Sequence, residues 1–377
     1  MSFLNASTYL PKITWRGRGR VLDLASYVKN KGLGLIVHGA SFRKKPQFKD
    51  LQRRIEPQGF FYPYEGGEPT LENVRHIIGY AKKKKALWMA GIGGGSILDA
   101  TKAAAGLYRG EQDPEAYHNG AVPERPGLPF YAIPTTAGSG SEATINAVIT
   151  NEKNQDKRSI RHESFMADLV ILDANLLEGR TAEHVAYSGM DALTQSIESY
   201  VSRGATPFTR GMAFAAFNRI IESLPSVYLE VLDGKSSGPE KSDMLIEASY
   251  LAGVAFTNSG LGIVHGMAHP LGAFYSVPHG LVCAVCLPLA IELNREAMGD
   301  AYRLLSQSIG GDLLERIKGL GVAMKIPSVF KGRPIVRREE LIKLVLSSGS
   351  TAMNPKTITV NDVDGLLEKL FDLPTPS

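Results

Sequence analysis

Long apolar runs and a large excess of charge of one sign are both missing from this sequence. No apolar run approaches the roughly 18 residues that a membrane-spanning helix needs, and the N-terminus lacks the basic flank, apolar core and cleavage site of a signal peptide. The formal net charge is only +4 over 377 residues, and basic motifs interleaved with aromatic residues are absent. We therefore expect a cytoplasmic protein that binds small molecules rather than membranes or nucleic acids.

Cysteine is also scarce. Cys283 and Cys286 are the only two cysteines, and they form a CxxC pattern within the apolar stretch LVCAVCLPLA. A redox pair needs an electropositive and partly exposed setting, whereas this stretch is typical of a buried helix. The pattern therefore favours packing of both side chains in a hydrophobic core.

The N-terminal part alternates short apolar runs with helical patterns. This alternation predicts a mostly parallel sheet covered by helices on both faces, which is a doubly wound, Rossmann-like α/β domain. We assign residues 1–180 to this domain. From about Thr181 onward the patterns are helical, so residues 181–377 are expected to form an all-α domain. The runs that predict buried strands are residues 31–40, 86–96, 128–138 and 167–176.

Two glycine-rich loops follow predicted strands of the α/β domain. GIGGGS (91–96) precedes a helical pattern, where free backbone N–H groups and the positive end of a helix favour a phosphate. PTTAGSGSEAT (134–144) adds hydroxyl groups after another strand. The spacing differs from GxGxxG, and a solvated turn explains either loop alone. Together at one edge of the sheet, the two loops predict a pyrophosphate site.

A third loop bears on the choice between NAD and NADP. Gly39 follows the strand pattern LGLIV, at the position where an NAD site would place an acid on the ribose 2′-hydroxyl. Without that acid, Ser41 and the basic residues 43–45 favour a 2′-phosphate and hence NADP. A solvated run of charges explains these basic residues about as well.

Three histidines cluster between residues 262 and 280. His265 and His269 are four residues apart, so both imidazoles project from one face of a helix. Pro270 and the glycines after it predict that this helix ends soon, with His279 in a loop or at the start of the next helix. The arrangement suits a metal or a proton relay, although such a pair also occurs as two ordinary polar residues.

A second helical pattern supplies oxygen donors. In residues 188–201, Asp191 and Gln195 lie four residues apart on an amphipathic helix. Facing the histidines, they would complete a four-ligand pocket for a divalent metal, while Asp191 alone could equally bond an ordinary nearby donor. The metal candidates fall in the helical part and the phosphate candidates in the α/β part, so we expect a reaction in the cleft between the two parts.

These motifs resemble those of the iron-containing, or group III, alcohol dehydrogenase family, including its lactaldehyde reductase and propanediol dehydrogenase members. The resemblance runs nearly end to end and implies an N-terminal dinucleotide-binding domain, a helical C-terminal domain of the dehydroquinate synthase-like fold, and a homodimer. The motifs that carry it are IGGGSILDATKA, IPTTAGSGSEATINAVIT, SGMDALTQSIESY, GLGIVHGMAHPLGAFYSVPHG and MNP at 353–355.

The resemblance also implies roles for individual residues. It places Asp191, His265 and His279 among the ligands of Fe²⁺ or Zn²⁺, with Gln195 at the fourth ligand position, and makes His269 the proton relay. The residues implied in cofactor binding are Gly94, Gly95, Ser96, Asp99, Thr135, Thr136, Ser139 and Lys157. Those implied in lining a pocket for a short substrate are Asn146, Val148, Phe256 and Ser350.

Three positions depart from the family pattern. Members that bind iron or zinc have histidine where this chain has Gln195, and an amide oxygen is a weaker ligand than imidazole for transition metals. NAD-dependent members carry an acid at the position of Gly39. Glu68 replaces the asparagine that usually precedes the Pro-Thr pair, and we expect this change to alter contacts near the cofactor.

The residues and the resemblance together predict an NAD(P)-dependent alcohol dehydrogenase or aldehyde reductase that acts on a small aldehyde or primary alcohol. NADP is the expected cofactor and NAD the alternative, together with Fe²⁺ or Zn²⁺. Three other functions stay open: a dehydroquinate-synthase-like cyclase, a metal-independent reductase of the maleylacetate reductase type, and a non-catalytic nucleotide-binding protein.

Overall fold

The computed structural model describes residues 7–154, 156–234 and 239–372. The outer ends of the two predicted domains, residues 1–6 and 373–377, therefore lie outside the described residues. The chain divides into two compact units, one formed by Thr8–Glu178 and the other beginning at Gly179. Each unit has its own set of buried apolar side chains.

The first unit is built on a parallel sheet. Its strands are β1 (Ile13–Arg16), β2 (Gly34–Gly39), β3 (Gly59–Tyr64), β4 (Trp88–Gly93), β5 (Phe130–Pro134), β6 (Asn146–Asn151), β7 (Asp156–Arg161) and β8 (Leu169–Leu172). The six-stranded sheet has the order β1-β8-β5-β4-β2-β3, with parallel neighbours throughout. All residues of β4 and β5 are buried, as expected for a parallel sheet with both faces covered.

The four predicted strands are confirmed as β2, β4, β5 and β8, whereas the other strands were missed. β1 lies at one edge of the sheet, and its residues are exposed or only partly buried, so it lacks an apolar run. β3 lies at the other edge and contains Pro63, which an edge strand tolerates. β6 and β7 form a separate antiparallel hairpin. None of these four strands is a continuous apolar run, so composition alone does not identify them.

The hydrophobic core of this unit joins adjacent strands. Ile36, Ile133 and Ile171 come from three strands and pack in one buried cluster with Trp88. The indole nitrogen of Trp88 donates a hydrogen bond to the carbonyl of Gly32 at 3.1 Å, so its polar group is satisfied. This packing fixes the carboxyl edge of the sheet, where the loops after β4 and β5 begin and where open α/β sheets bind ligands.

Helices accompany the sheet in the first unit. They are α1 (Leu24–Val28), α2 (Ala40–Arg43), α3 (Pro46–Ile55), α4 (Leu71–Lys83), α5 (Gly95–Leu107) and α6 (Pro114–His118), with 3₁₀ helices at Arg20–Asp23, Ser141–Ala143, Glu163–Phe165 and Ala174–Leu177. Thr70 caps the start of α4, because its hydroxyl accepts a hydrogen bond from the Asn73 N–H at 3.1 Å.

The described residues of the second unit form helices only, as predicted. They are α7 (Ala182–Val201), α8 (Pro207–Leu232), α9 (Pro239–Ser259), α10 (Ile263–Tyr275), α11 (His279–Met298), α12 (Asp300–Ser308), α13 (Leu313–Ala323), α14 (Arg338–Ser347), α15 (Gly349–Ala352) and α16 (Val360–Asp372). A Cβ at Gly189 of α7 would lie 2.2 Å from Leu224 of α8, so glycine permits the close packing of these two helices. Among the described helices, none combines the length and apolar character needed to cross a membrane.

Candidate active site

Helix α7 holds Asp191 and Gln195 on one buried face. The two residues lie one helical turn apart and are only 6% and 3% exposed. Met190, Leu193 and Ile197 on the same helix are also buried, so most of the helix surface at this level is enclosed. A carboxylate and an amide are thus removed from water, and burial of a polar group without a hydrogen-bond partner is costly.

Helices α10 and α11 supply the histidines. His265 and His269 lie one turn apart on α10, and His279 is the first residue of α11, in agreement with the sequence pattern. α10 continues for more than one turn beyond Pro270 before it ends. Ser276 then adopts a left-handed conformation with a φ of 54°, which turns the chain toward the start of α11.

The side chains of Asp191, His265 and His279 converge on one point. The Nε2 atoms of His265 and His279 lie 3.3 Å and 3.8 Å, respectively, from Oδ1 of Asp191. The centroid of the His269 ring is 5.1 Å from that of His279. The structure therefore brings three of the predicted metal ligands and the predicted proton relay into one cluster.

Several polar atoms of this cluster have no hydrogen-bond partner. Oδ1 of Asp191, Oε1 of Gln195 and Nε2 of His265 are all in this state, and the three residues are at most 6% exposed. The 3.3 Å approach of Nε2 to Oδ1 is an ion-pair distance and does not have the geometry of a hydrogen bond. Buried polar atoms without partners are rare in folded proteins. Carboxylate and amide oxygens together with imidazole nitrogens form a donor set that suits a divalent cation. The residues present therefore fit the metal that the sequence predicts.

Glu198 supports the cluster and was missed by sequence reasoning. Its Oε2 accepts a hydrogen bond from Nδ1 of His265 at 2.7 Å, and its Oε1 accepts one from the Val264 N–H, also at 2.7 Å. A carboxylate behind a metal-binding histidine fixes the tautomer and orientation of the ring. Because Nδ1 is committed to Glu198, Nε2 is the nitrogen that faces Asp191. The available signal was the seven-residue spacing from Asp191, which is two turns of α7.

Cys283 is a second residue that sequence reasoning did not place in the site. Its Sγ lies 3.6 Å from Nε2 of His279, and the ligand atoms of Asp191, His265, His279 and Cys283 all lie within 4.8 Å of one another. Cys283 and Cys286 are both buried, as predicted for this CxxC. Cys283 additionally faces the metal candidates. The signal was its position one turn after His279 on α11.

Opposite charges offset one another inside the cluster. Burial by itself lowers the pKa of His265, but the carboxylates of Asp191 and Glu198 outweigh burial and raise this pKa to about 9. Burial raises the pKa of Asp191, yet the imidazoles of His279 and His265 and the amide of Gln195 hold it below its usual value. Asp191 is thus ionised, which is the form that binds a cation.

In the first unit, glycines bring the loops after β4 and β5 together. A Cβ on Gly95 would lie 2.8 Å from Oγ of Ser139, and one on Gly94 would lie 3.4 Å from Cγ2 of Thr136. Gly94 precedes α5 and has no side chain to accept from the first N–H groups of that helix. These groups fit a pyrophosphate. The predicted cofactor residues on these loops or in the first turn of α5 are Gly94, Gly95, Ser96, Thr135, Thr136 and Ser139.

Asp99 on α5 has a structural role in the observed contacts. Its Oδ1 accepts a hydrogen bond from Oγ of Ser141 at 2.5 Å, and its Oδ2 accepts one from the Val148 N–H at 3.0 Å. The ammonium group of the buried Lys102 lies 3.7 Å from Oδ1. Asp99 therefore ties the loop after β5 and the strand β6 to helix α5, and a contact with the cofactor stays a prediction.

The segment after β2, predicted as a loop, begins with the short helix α2, because its backbone continues in helical turns from Ala40 to Arg43. Lys45 donates a hydrogen bond from Nζ to the carbonyl oxygen of Glu178 at 2.7 Å, so this ammonium contacts backbone. A Cβ at Gly39 would lie 2.6 Å from Cδ1 of Ile97, so an acid at this position requires Ile97 to move. The predicted residues that remain exposed in this segment are Ser41 and Arg43 on α2 and Lys44 directly after it.

Lys157 forms an ion pair with Glu68. Nζ of Lys157 lies 2.7 Å from Oε2 of Glu68, and the two side chains are 23% and 61% exposed. The sequence singled out these residues separately, Lys157 as a cofactor contact and Glu68 as a departure from the family pattern. The structure joins them, since the unusual acid partly neutralises the lysine.

The four residues predicted to line the substrate pocket lie in both units. Asn146 and Val148 lie on β6, and Oδ1 of Asn146 is buried without a hydrogen-bond partner. Phe256 lies near the end of α9, and Ser350 lies on α15, both partly buried. Contact of these side chains with a substrate stays a prediction.

Comparison with known proteins places the chain in a family. A model of the iron-containing alcohol dehydrogenase domain matches residues 11–174, and a model of the C-terminal part of the Fe-containing alcohol dehydrogenase family matches residues 185–371. Lactaldehyde reductase from Escherichia coli strain K12 is 31% identical over 376 residues, covering 94% of this chain and 96% of that protein. Similarity therefore extends over both units.

Solved structures share the same architecture. A sulfoacetaldehyde reductase from Bifidobacterium kashiwanohense, in complex with NAD⁺, superposes with a TM-score of 0.90 at 25% identity, covering 97% of this chain and 99% of its own. A 1,3-propanediol oxidoreductase gives a TM-score of 0.89 at 25% identity, covering 97% and 100%. These likenesses confirm the predicted fold class, an α/β Rossmann-like part followed by a helical part. The chain belongs to the iron-containing alcohol dehydrogenase family of oxidoreductases.

Proposed function

We propose that this chain catalyses reversible, metal-assisted hydride transfer between a nicotinamide cofactor and a small aldehyde or primary alcohol. The observation that carries the proposal is the convergence of Asp191, His265 and His279 around buried atoms without hydrogen-bond partners. In a member of an alcohol dehydrogenase family, such a cluster of oxygen and nitrogen donors fits a catalytic divalent cation.

Asp191, His265 and His279 would hold Fe²⁺ or Zn²⁺, with Oε1 of Gln195 available as a further donor. When bound, the cation supplies Lewis acidity at the substrate oxygen, and the nicotinamide supplies or accepts the hydride. Glu198 orients His265 through the hydrogen bond to Nδ1. Because an amide oxygen is a weaker donor than imidazole, Gln195 should leave the site with lower affinity for transition metals than a histidine would.

His269 would move the proton of the alcohol. Its ring centroid lies 5.1 Å from that of His279, and the residue is only partly buried, so its imidazole can exchange protons with water. Imidazole suits proton transfer near neutral pH, so it can give a proton to the alkoxide oxygen that forms during aldehyde reduction and take the hydroxyl proton of the alcohol during oxidation. The transfer would run through water or through the ribose hydroxyls.

The first unit would bind the nicotinamide nucleotide. The start of α5, whose first N–H groups have no side-chain cap, and the hydroxyls of Thr136 and Ser139 support a pyrophosphate site. Gly39 in place of an acid, with Ser41 exposed beside it, supports NADP, and NAD is the alternative. The relative from Bifidobacterium kashiwanohense was solved with NAD⁺. Lys157 would approach the nicotinamide ribose while paired with Glu68.

The proposal includes a short substrate and a homodimer in the cytoplasm. Asn146, Val148, Phe256 and Ser350 would limit the size of the substrate. The homodimer and its location rest on the family resemblance. A purely monomeric species in sedimentation analysis at working concentrations would contradict the dimer.

The test is an assay of NADPH and NADH oxidation with a panel of short aldehydes, with the alcohol product identified. We expect one nicotinamide oxidised for each aldehyde reduced, and loss of activity after chelation. A cyclase would turn over without net oxidation of the cofactor, a metal-independent reductase would keep full activity after chelation, and a binding protein would bind nucleotide without turnover. Each of these results would contradict the proposal.

A further inference from the structure

Helix α11 presents a thiol to the same point as the metal candidates. Cys283 lies one helical turn after His279 and is fully buried. Its Sγ is 3.6 Å from Nε2 of His279, and it belongs to the group of four ligand atoms that lie within 4.8 Å of one another. The sulfur is therefore within reach of any cation that Asp191, His265 and His279 share.

An independent observation points to a ligand at this position. Oδ1 of Asp191, Nε2 of His265 and Oε1 of Gln195 lack hydrogen-bond partners although their residues are at most 6% exposed. Of these donors, the amide oxygen of Gln195 binds transition metals weakly. Without the sulfur, the buried site has only three strong donors.

We propose that the thiolate of Cys283 is a direct ligand of the metal at this site. The inference rests on the proposed function, because it concerns the same metal. As the metal binds, the S–H bond of Cys283 and the Nε2–H bond of the protonated His265 both break and the two protons pass to solvent, with no change in oxidation state. The thiolate and the carboxylate of Asp191 then balance the two positive charges of the cation, while His265 and His279 bind as neutral imidazoles.

A sulfur ligand changes which metal the site prefers. Thiolate is a soft donor and, with imidazole, favours zinc, whereas oxygen ligands favour harder cations such as magnesium or manganese. The site should therefore retain zinc more strongly than those harder cations. The negative charge of the thiolate also lowers the net positive charge that the metal presents to a substrate oxygen.

Cys286 provides a matched control on the same helix. It lies three residues after Cys283 and is equally buried, but its sulfur is not among the four clustered ligand atoms. A Cys→Ser substitution at either position replaces one buried thiol of α11 with a hydroxyl. Only the exchange at Cys283 should affect the metal.

The experiment titrates metal-stripped full-length protein with Co²⁺, and measures affinity and the near-ultraviolet absorbance. The unmodified protein should bind one Co²⁺ per chain and develop an intense thiolate-to-cobalt charge-transfer band. Cys283→Ser and Cys283→Ala should lose the band and weaken Co²⁺ binding by at least about tenfold, since even indirect partners of a metal ligand contribute that much. Cys286→Ser should keep both the band and the affinity.

X-ray absorption of the zinc-loaded, unmodified protein gives a second measurement that needs no variant. It should show one sulfur scatterer at about 2.3 Å from zinc. If the protein binds Co²⁺ or zinc without the band and without the sulfur scatterer, or if the band persists in the Cys283 variants, the inference is overturned and the proposed function survives. If the unmodified protein binds no metal at all, the metal-assisted function itself is overturned.

Discussion

Glu198 of α7 accepts a hydrogen bond from Nδ1 of His265 of α10 at 2.7 Å, and both residues are buried. This contact joins the two helices that carry most of the metal candidates. It aims the other ring nitrogen of His265 at Asp191, where the two atoms are 3.3 Å apart. The precision of the site therefore depends on a residue that touches neither substrate nor cofactor in the proposed mechanism.

Replacement of Glu198 by glutamine should weaken metal binding. An amide can accept from only one of the two donors, Nδ1 of His265 and the Val264 N–H, and it places an N–H₂ group against the other. We expect a loss of about 10- to 100-fold in zinc affinity, measured by equilibrium dialysis. Glu183→Gln, an exposed change on the same helix, should have no effect. Equal affinities in both variants would show that Glu198 does not orient the ligand.

Replacement of His269 by alanine should lower kcat while the protein keeps its metal. General acid–base catalysis contributes roughly 100-fold or more, so we expect a loss of at least that size in steady-state assays of aldehyde reduction. Metal analysis of the same samples separates a proton relay from a ligand. His76→Ala, at a surface position paired with Glu72, is the control. Unchanged turnover in His269→Ala rules out the relay.

Removal of the acid that pairs with Lys157 should tighten cofactor binding. Glu68→Gln frees the lysine for the negatively charged nucleotide, and an exposed ion pair contributes at most about 1 kcal/mol. We therefore expect the KM for the nicotinamide cofactor to fall, by up to about fivefold, and Lys157→Met should raise it. Arg158→Met, on the same strand but paired with Asp156, should leave this KM unchanged. No response to Lys157→Met would place the lysine outside the cofactor site.

The buried carboxyl of Glu142 should make stability depend on pH. Burial raises the pKa of Glu142 from 4.5 to about 7, so between these values the folded state holds the proton more tightly than the unfolded state does. The free energy of unfolding should therefore fall as pH rises from about 4.5 to 7. In Glu142→Gln, the decrease in the free energy of unfolding over this pH range should be smaller by on the order of 1–3 kcal/mol, as measured by urea unfolding at both ends of the range.

The control for this pH dependence is Glu124→Gln, which changes an exposed glutamate in the same unit. Its unfolding curves should follow those of the unmodified protein at each pH. Parallel pH profiles for Glu142→Gln and the unmodified protein would mean that Glu142 ionises as freely in the folded chain as in the unfolded chain.

Apolar runs were sufficient to locate the interior of the sheet. β2, β4, β5 and β8 are buried along their length, so each appears in the sequence as a continuous hydrophobic segment. β1 has no such segment, because it is an edge strand stabilised by pairing with β8, which comes much later in the chain. Local composition cannot reveal a partner of that kind.

Helical spacing located the metal candidates but not their surroundings. The four-residue intervals within α7 and α10 placed Asp191 beside Gln195 and His265 beside His269. The same four-residue spacing on α11 separates His279 from Cys283. The CxxC was interpreted as core packing, and both cysteines are indeed buried. That interpretation left out the position of Cys283 beside the metal candidates. The Glu198–His265 contact depends on how α7 packs against α10, and the spacing of residues along one helix does not predict that packing.

The dependence of hydride transfer on a metal held by Asp191, His265 and His279 is tested most directly by removal and return of the metal. The purified enzyme is stripped by exhaustive chelation, and NADPH- and NADH-linked aldehyde reduction is followed as Zn²⁺ or Fe²⁺ is added back. We predict that activity disappears on stripping and returns with one equivalent of metal per chain, and that His265→Ala fails to recover. Full activity in protein shown to contain no metal would contradict this account.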